Sequence, residues 1–188
     1  MTIRLKHYYE DVIFYELFQK LNLHSFSQVP KITKCVITLT SSKILDNPIS
    51  LSASLITLDW IIGQRSKVTN AQESLSALKI QEQMEMGSQT TLRGDEMYLF
   101  LDYVFLCLLP KLFGLSEISS YNKFGGFDSE ANFSFGIPDV FLFPHLQNQS
   151  ENLNKASGFS GGANITLVFS SNRYEYNKLL LSSFQWPL

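Results

Sequence analysis

Residues 31–40 read KITKCVITLT, and their alternation decides what kind of fold this chain can adopt. In an extended strand Cys35, Ile37 and Leu39 fall on one side, and Lys34, Val36, Thr38 and Thr40 on the other. One side suits a core; the other carries hydroxyls and a cation. The strand therefore belongs to a sheet with one buried and one open face. Its neighbours in the chain are helical. Ahead of it, Leu5, Tyr9, Val12, Ile13, Leu17 and Leu21 predict a helix over 4–23, and Pro30 ends the loop that follows. Behind it, Asn47 as N-cap and Pro48 at the first helical position start a second helix. Leu51, Leu55, Leu58 and Ile62 form its stripe, and Gly63 stops it.

The remainder alternates in the same way. QRSKVT (64–69) is a short polar strand candidate, and 70–94 reads as a loop with one or two strands. Asp95 caps a long helix reaching Leu109, with Asp95 and Glu96 at the positive end of its dipole. A glycine-rich loop, KFGGFDSEA, precedes a strand around NFSFGI (132–137), and DVFLFP closes at Pro144. Residues 146–160 read as a mobile surface loop. ANITLVFS (163–170) is the clearest late strand, and Asn172 caps a last helix through Phe184. This order predicts one α+β domain over 1–188: a mainly antiparallel sheet with helices on one face, the other face being open to a partner.

At 188 residues the chain can bury a sizeable core, and 45% hydrophobic with 17% charged residues describes a globular protein. A net charge of −2 argues against a general nucleic-acid binder. The mean hides an asymmetry. Residues 1–67 carry eight Lys/Arg against five Asp/Glu, and 68–188 carry seven against twelve. Any polyanion surface is expected in the first third. Cys35 and Cys107 stand in apolar contexts without metal-ligand spacing and read as buried free thiols. MTIRLKHYYEDVIFYELF reads as the first helix rather than a leader. YLFLDYVFLCLLPKLFGL (98–115) is interrupted by Asp102, Pro110 and Lys111, so it reads as a buried helix and not a membrane span.

GFSGG (158–162) matches the G-x-S-x-G pattern of a nucleophilic serine. That geometry needs strand, sharp turn and helix in sequence, with an acid and a base in reach. Around Ser160 a polar loop comes first and the strand afterwards, and no Asp or His follows it. The alternative of a serine hydrolase using Ser160 is therefore set aside in favour of a glycine turn. Asp95/Glu96 diverge at i,i+1, and Glu82/Glu85 suit a solvated edge. His7, His24 and His145 lack metal-ligand spacing, and KFGGFDS lacks the Walker pattern. These residues assemble no catalytic site, no metal site and no cofactor site.

Several segments in order resemble one family. They are LKHYYEDV (5–12), VPKITKCVITL (29–39), GQRSKVTNAQESLSALKI (63–80), TLRGDEMYLFLDYV (91–104), FDSEANFSFGI (127–137) with FLFP (141–144), and GANITLVFSS (162–171) ending in LLLSSFQWP (179–187). Together they resemble the large-subunit ribosomal protein L-five family, over nearly the whole chain. The resemblance implies an α+β protein of the central protuberance that binds 5S rRNA and neighbouring large-subunit rRNA. It also implies contacts with other central-protuberance proteins, a small-subunit head protein and, transiently, P-site tRNA. Gln64 and Thr91 match polar residues that contact 5S rRNA, Thr38 stands where the family usually has Asn, and Arg93 matches the arginine of TLRG. Arg65 and Lys67, with Lys34 on the open side of the strand, are expected to bind RNA as phosphate partners. Lys79 matches a lysine in the loop that approaches tRNA.

Departures from the family pattern bear on affinity. TNAQES (69–74) replaces a basic stretch, TSSKI (40–44) replaces expected glycines, and QEQMEMGSQ (81–89) replaces a basic loop. Each lost cation removes a counterion-release contribution. An alternative within the family is a large-subunit protein that has lost 5S rRNA and contacts mainly protein. The Phe/Ile/Asn/Ser-rich composition points to a mitochondrial ribosome, with a plastid or a bacterial cytoplasm as alternatives.

Overall fold

The computed structural model describes residues 3–40, 44, 47–115, 125–147 and 161–186. The first helical run begins with α1 (Arg4–Tyr8), passes through a π turn (Tyr9–Ile13) and continues as α2 (Phe14–Lys20). It stops short of Leu23, because Asn22 adopts φ +47°. Leu5, Tyr9, Ile13 and Leu17 are buried as expected, but Val12 is exposed. The wider π turn carries the inward positions from Tyr9 to Ile13 and leaves Val12 outside.

Strand β1 (Ile32–Thr40) shows the expected alternation: Cys35, Ile37 and Leu39 are buried, while Lys34, Val36 and Thr38 are half-buried. Helix α3 (Ile49–Ile62) starts where the Asn47 carboxamide accepts from the Ile49 N–H (3.1 Å). Its inner face is not the leucine stripe alone. Ser50, Ser54 and Thr57 are buried beside Leu51 and Leu58, whereas Ile49, Ile56 and Trp60 face outward. The three hydroxyls donate to Asn47, Leu51 and Ala53 carbonyls (2.6–2.7 Å), which lets them enter a core satisfied.

After β2 (Lys67–Asn70) and β3 (Glu85–Leu92) comes α4 (Gly94–Tyr103), then a π turn (Val104–Leu108), then α5 (Leu109–Leu115). The helical run thus passes Pro110 rather than ending at Leu109. Proline has no N–H and its ring crowds the carbonyl four residues back, and the widened turn relieves both. Asp95 does not cap: Arg93 is the N-cap, without a side-chain bond, and Asp95 accepts from Lys6 Nζ at 2.8 Å. That hydrogen-bonded carboxylate raises the Lys6 pKa.

Strands β4 (Gly126–Phe127) and β5 (Phe133–Ile137) follow. DVFLFP forms a 3₁₀ turn (Val140–Leu142), fixed by the Asp139 carboxylate on the Phe141 N–H (2.9 Å), and leads into α6 (Pro144–Gln147). Leu146 is buried there, so the polar loop expected from 146 does not begin at that residue. Residues 148–160, Ser160 included, lie outside the described residues. Strand β6 (Gly162–Phe169) and α7 (Tyr174–Ser183) complete the fold. Asn172 is not the cap of α7: Arg173 holds that position, and the Ser171 hydroxyl accepts its N–H at 3.2 Å.

The six strands form one sheet in the order β2-β3-β1-β6-β5-β4, with β2 antiparallel to β3 and β4 to β5. Burial alternates along β1, β5 and β6, so one face is covered and the other open. The fold is α+β with an antiparallel sheet, as the order of segments predicts.

Two compact units divide the chain. The first comprises 1–35, 92–135 and 166–188. Its core is aromatic: Tyr9 stacks on Tyr98 and Phe184 (6.2 Å each), and Trp186 packs on Phe135 (4.7 Å), Phe105 and Phe133. Tyr9 donates its buried hydroxyl to the Pro30 carbonyl (3.0 Å), and burial raises its pKa. The second unit comprises 36–91 and 136–165, with Ile37, Leu39, Leu58, Val140, Phe143 and Ile165 among its core residues.

Candidate nucleic-acid interface

Within the second unit, the end of α3 is built as a clamp. Gly63 takes φ +77° and donates its N–H to the Asp59 carbonyl (2.8 Å), which ends the helix in the left-handed conformation glycine favours. The Asp59 carboxylate then accepts the Ser66 N–H (2.7 Å), and the Ser66 hydroxyl donates to the Leu55 carbonyl (3.2 Å). This double tie holds the turn from both ends. Gln64 and Arg65 stand exposed at its tip, and Lys67 is exposed where β2 begins. Neither Arg65 nor Lys67 enters an ion pair among the described residues.

Register places the next residues. Lys67 lies opposite Gln89, and Thr69 opposite Gly87. Directly opposed residues share a face, and so do residues two apart on one strand. Lys67, Thr69, Gly87, Gln89 and Thr91 therefore line one face. A Cβ at Gly87 would touch Thr40 Cγ2 at 3.0 Å, which puts Thr40, and with it Thr38, on that face. Ser88, Thr90 and Leu92 of β3 are buried on the other. The open face is thus a carpet of short hydroxyl and amide side chains edged by the cationic turn. Such groups donate and accept hydrogen bonds at close range, and the cations suit phosphate.

The structure brings together Thr38, Thr91, Lys67, Gln64 and Arg65 of the expected set, all in the second unit. Lys79 stands apart in the 71–84 excursion, exposed at φ +56° beside the Leu75–Ile80 bridge. Lys34, half-buried on β1, and Arg93, exposed before α4, belong to the first unit. Sequence reasoning missed Gln89 and Thr69. The signal for Gln89 was present, since it stands two residues before Thr91 on the same strand; Thr69 needed the β2–β3 register. The excursion is acidic as well as polar, with Glu73 and Glu82 exposed, and Glu85 is exposed where β3 begins.

Among the described residues no group of three or more His, Cys, Asp or Glu could hold a metal ion, and no helix is long and apolar enough to cross a membrane. Cys35 and Cys107 are both free thiols; the first is buried as expected, the second only half-buried.

The C-terminal profile of the ribosomal L5P family matches residues 85–188. The large ribosomal subunit protein uL5m of Reclinomonas americana is 32% identical over 98% of this chain and 97% of its own length. The uL5 protein of Mesoplasma florum is 33% identical over 100% and 98%, and that of Mycoplasma capricolum 38% over 78% and 79%. Identity at this level across whole chains, with a profile match over more than half of this one, decides kinship where no short motif could. The chain belongs to the ribosomal L5P family, structural and non-enzymatic proteins of the large ribosomal subunit.

Proposed function

We propose that this large-subunit protein binds 5S rRNA at the central protuberance through the open sheet face of its second unit. In this reading Thr38, Gln64 and Thr91 make hydrogen bonds to the RNA, and Arg65 and Lys67 neutralise phosphates on the α3–β2 turn. Lys34 and Arg93 add phosphate contacts from the first unit. The observation that carries the reading is the clamped 63–66 turn beside a face of five hydroxyl and amide side chains (Thr38, Thr40, Thr69, Gln89 and Thr91) edged by Lys67. Lys79 reaches toward P-site tRNA, and a small-subunit head protein and other central-protuberance proteins are neighbours. A mitochondrial ribosome is favoured by the Phe/Ile/Asn/Ser-rich composition and agrees with the likeness to a uL5m.

A second reading has a specific observation behind it. The exposed Glu73 and Glu82 of the excursion, with Glu85 at the start of β3, would repel RNA there, which suits a subunit in which protein contacts have replaced 5S rRNA.

Titration of the purified chain with a bacterial 5S rRNA transcript separates the two. Four cations on phosphates predict a log–log salt slope of about −3 to −4. Gln64→Ala with Thr91→Ala removes hydrogen bonds worth about 0.5–1.5 kcal/mol each, so affinity falls by roughly 5- to 160-fold. Ser160→Ala serves as control. Equal effects of the double variant and the control would remove the site assignment; absence of saturable binding would favour the protein-contact reading.

A further inference from the structure

The first unit carries a surface that the sheet face does not explain. Phe26 sits on a 3₁₀ turn (Phe26–Gln28) with 59% of its surface exposed, and Tyr15 is 56% exposed. Neither is stranded alone. Phe26 stacks on Phe18 (4.6 Å between centroids, 28° between planes) and lies near-parallel to Phe14 (5.9 Å, 23°); Phe14 meets Tyr15 edge-on at 5.5 Å. Phe14, Tyr15 and Phe26 border a depression of about 340 Å³ with Ser27, and Glu10 and Lys31 supply an acceptor and a donor at its rim. An aromatic stack left open on a large-subunit protein, with mixed polar groups at the edge, suits a flat ring that carries both donors and acceptors.

Ser27 also lines a second depression of about 360 Å³, whose chemistry is different. Arg173 is its charged residue. The guanidinium lies 5.1 Å over the Tyr176 ring and donates Nη1 to the Tyr176 hydroxyl (2.9 Å), so it is held in place without a carboxylate partner among the described residues. Ser170 and Ser171 hydroxyls accept the backbone N–H groups of Lys31 (3.0 Å) and Arg173 (3.2 Å). Each hydroxyl that accepts keeps its own hydrogen to donate. With Gln28 beside them, the depression gathers donors around a fixed cation, the pattern a phosphate oxygen satisfies.

We propose that these two depressions form a second RNA contact, independent of the 5S rRNA face: an unpaired base of large-subunit rRNA stacks on Phe26, and its phosphate sits on Arg173 and the Ser170/Ser171 hydroxyls. The occupant is RNA rather than an apolar protein segment, because the aromatic depression continues through Ser27 into one that offers donors and positive charge.

The test uses the full chain with 4-thiouridine-labelled single-stranded RNA octamers, read by fluorescence anisotropy and by mapping crosslinked peptides. Crosslinks are expected in the 21–31 peptide. Phe26→Leu keeps an apolar side chain but removes the stacking face, and should weaken the octamer about tenfold, with Phe26→Trp restoring it. Arg173→Gln should reduce the salt slope by about 0.7. Circular dichroism checks that each variant stays folded, and 5S rRNA affinity should be unchanged in all of them. Conversely, the Gln64→Ala/Thr91→Ala variant should keep octamer affinity, so the two readings fail separately. Equal octamer affinity for wild type and Phe26→Leu, or crosslinks confined to 67–91, would overturn the proposal and leave the aromatic surface to a protein neighbour.

Discussion

Gly87 and Gly136 offer a paired experiment on the second unit, because both stand on extended strands and differ in what a methyl group would meet. At Gly87 an added Cβ lies 2.4 Å from the Leu39 carbonyl oxygen and 3.0 Å from Thr40 Cγ2. The first atom is backbone of the neighbouring strand, so it cannot swing aside; β3 would have to draw away from β1. At Gly136 the same Cβ meets only the Asn164 side-chain oxygen at 3.4 Å, an ordinary contact. Overpacking of the first kind costs about 1–3 kcal/mol. Replacing glycine by alanine returns about 0.4–1 kcal/mol by restricting the unfolded chain, and this gain is common to both sites. Gly136→Ala should therefore be neutral or slightly stabilising, and Gly87→Ala should lose a net of about 1.3 kcal/mol at the middle of both ranges and at most about 2.6 kcal/mol. For a chain of this size that corresponds to a fall in Tm of about 3–5 °C, at most about 10 °C. Thermal unfolding followed by circular dichroism measures the difference. Gly87 lies opposite Thr69 and beside Thr40 on the open face, so the same variant should also weaken 5S rRNA binding. Coinciding melting curves for the two alanine variants would refute the close β3–β1 approach and the face built on it.

Asp59 offers a test in which two physical effects have opposite signs. Asp59→Ala frees the Ser66 N–H and should cost about 1.5–3 kcal/mol of stability, while Asp59→Asn keeps the acceptor and costs much less. Removing a negative charge near phosphate would by itself tighten RNA binding, whereas loosening the clamped turn weakens it. Weaker 5S binding by Asp59→Ala but not by Asp59→Asn is expected, and tighter binding by both would contradict the clamp. Cys35 is a pH probe, since burial pushes its thiol up to about 12. The folded pKa is raised, so this contribution to stability is complete below the unfolded value near 9 and is lost as pH climbs toward 12. Denaturant midpoints of wild type should fall more steeply than those of Cys35→Ala across that window. A thiol reagent at neutral pH should modify half-buried Cys107 well before Cys35, and the reverse order would be incompatible with the packing of β1.

Patterns that close within a few residues were legible in the chain alone. The alternation of 34–40 requires only that successive side chains of a strand point opposite ways, and Gly63 ends α3 because a left-handed residue is cheap only for glycine. The order of helices and strands then implies α+β, and the order of family-like segments implies kinship. Other features depend on groups distant in sequence. Asp95 serves Lys6 instead of its own helix, Pro110 is carried by a π turn, and α3 turns Ser50, Ser54 and Thr57 inward with Trp60 outward. The face that unites Thr38, Thr69, Gln89 and Thr91 likewise required the pairing of three strands. Local periodicity constrains which side of an element a residue takes, but register, close approach and ion pairing are set by neighbours tens of residues away, and only the folded chain brings those neighbours into contact.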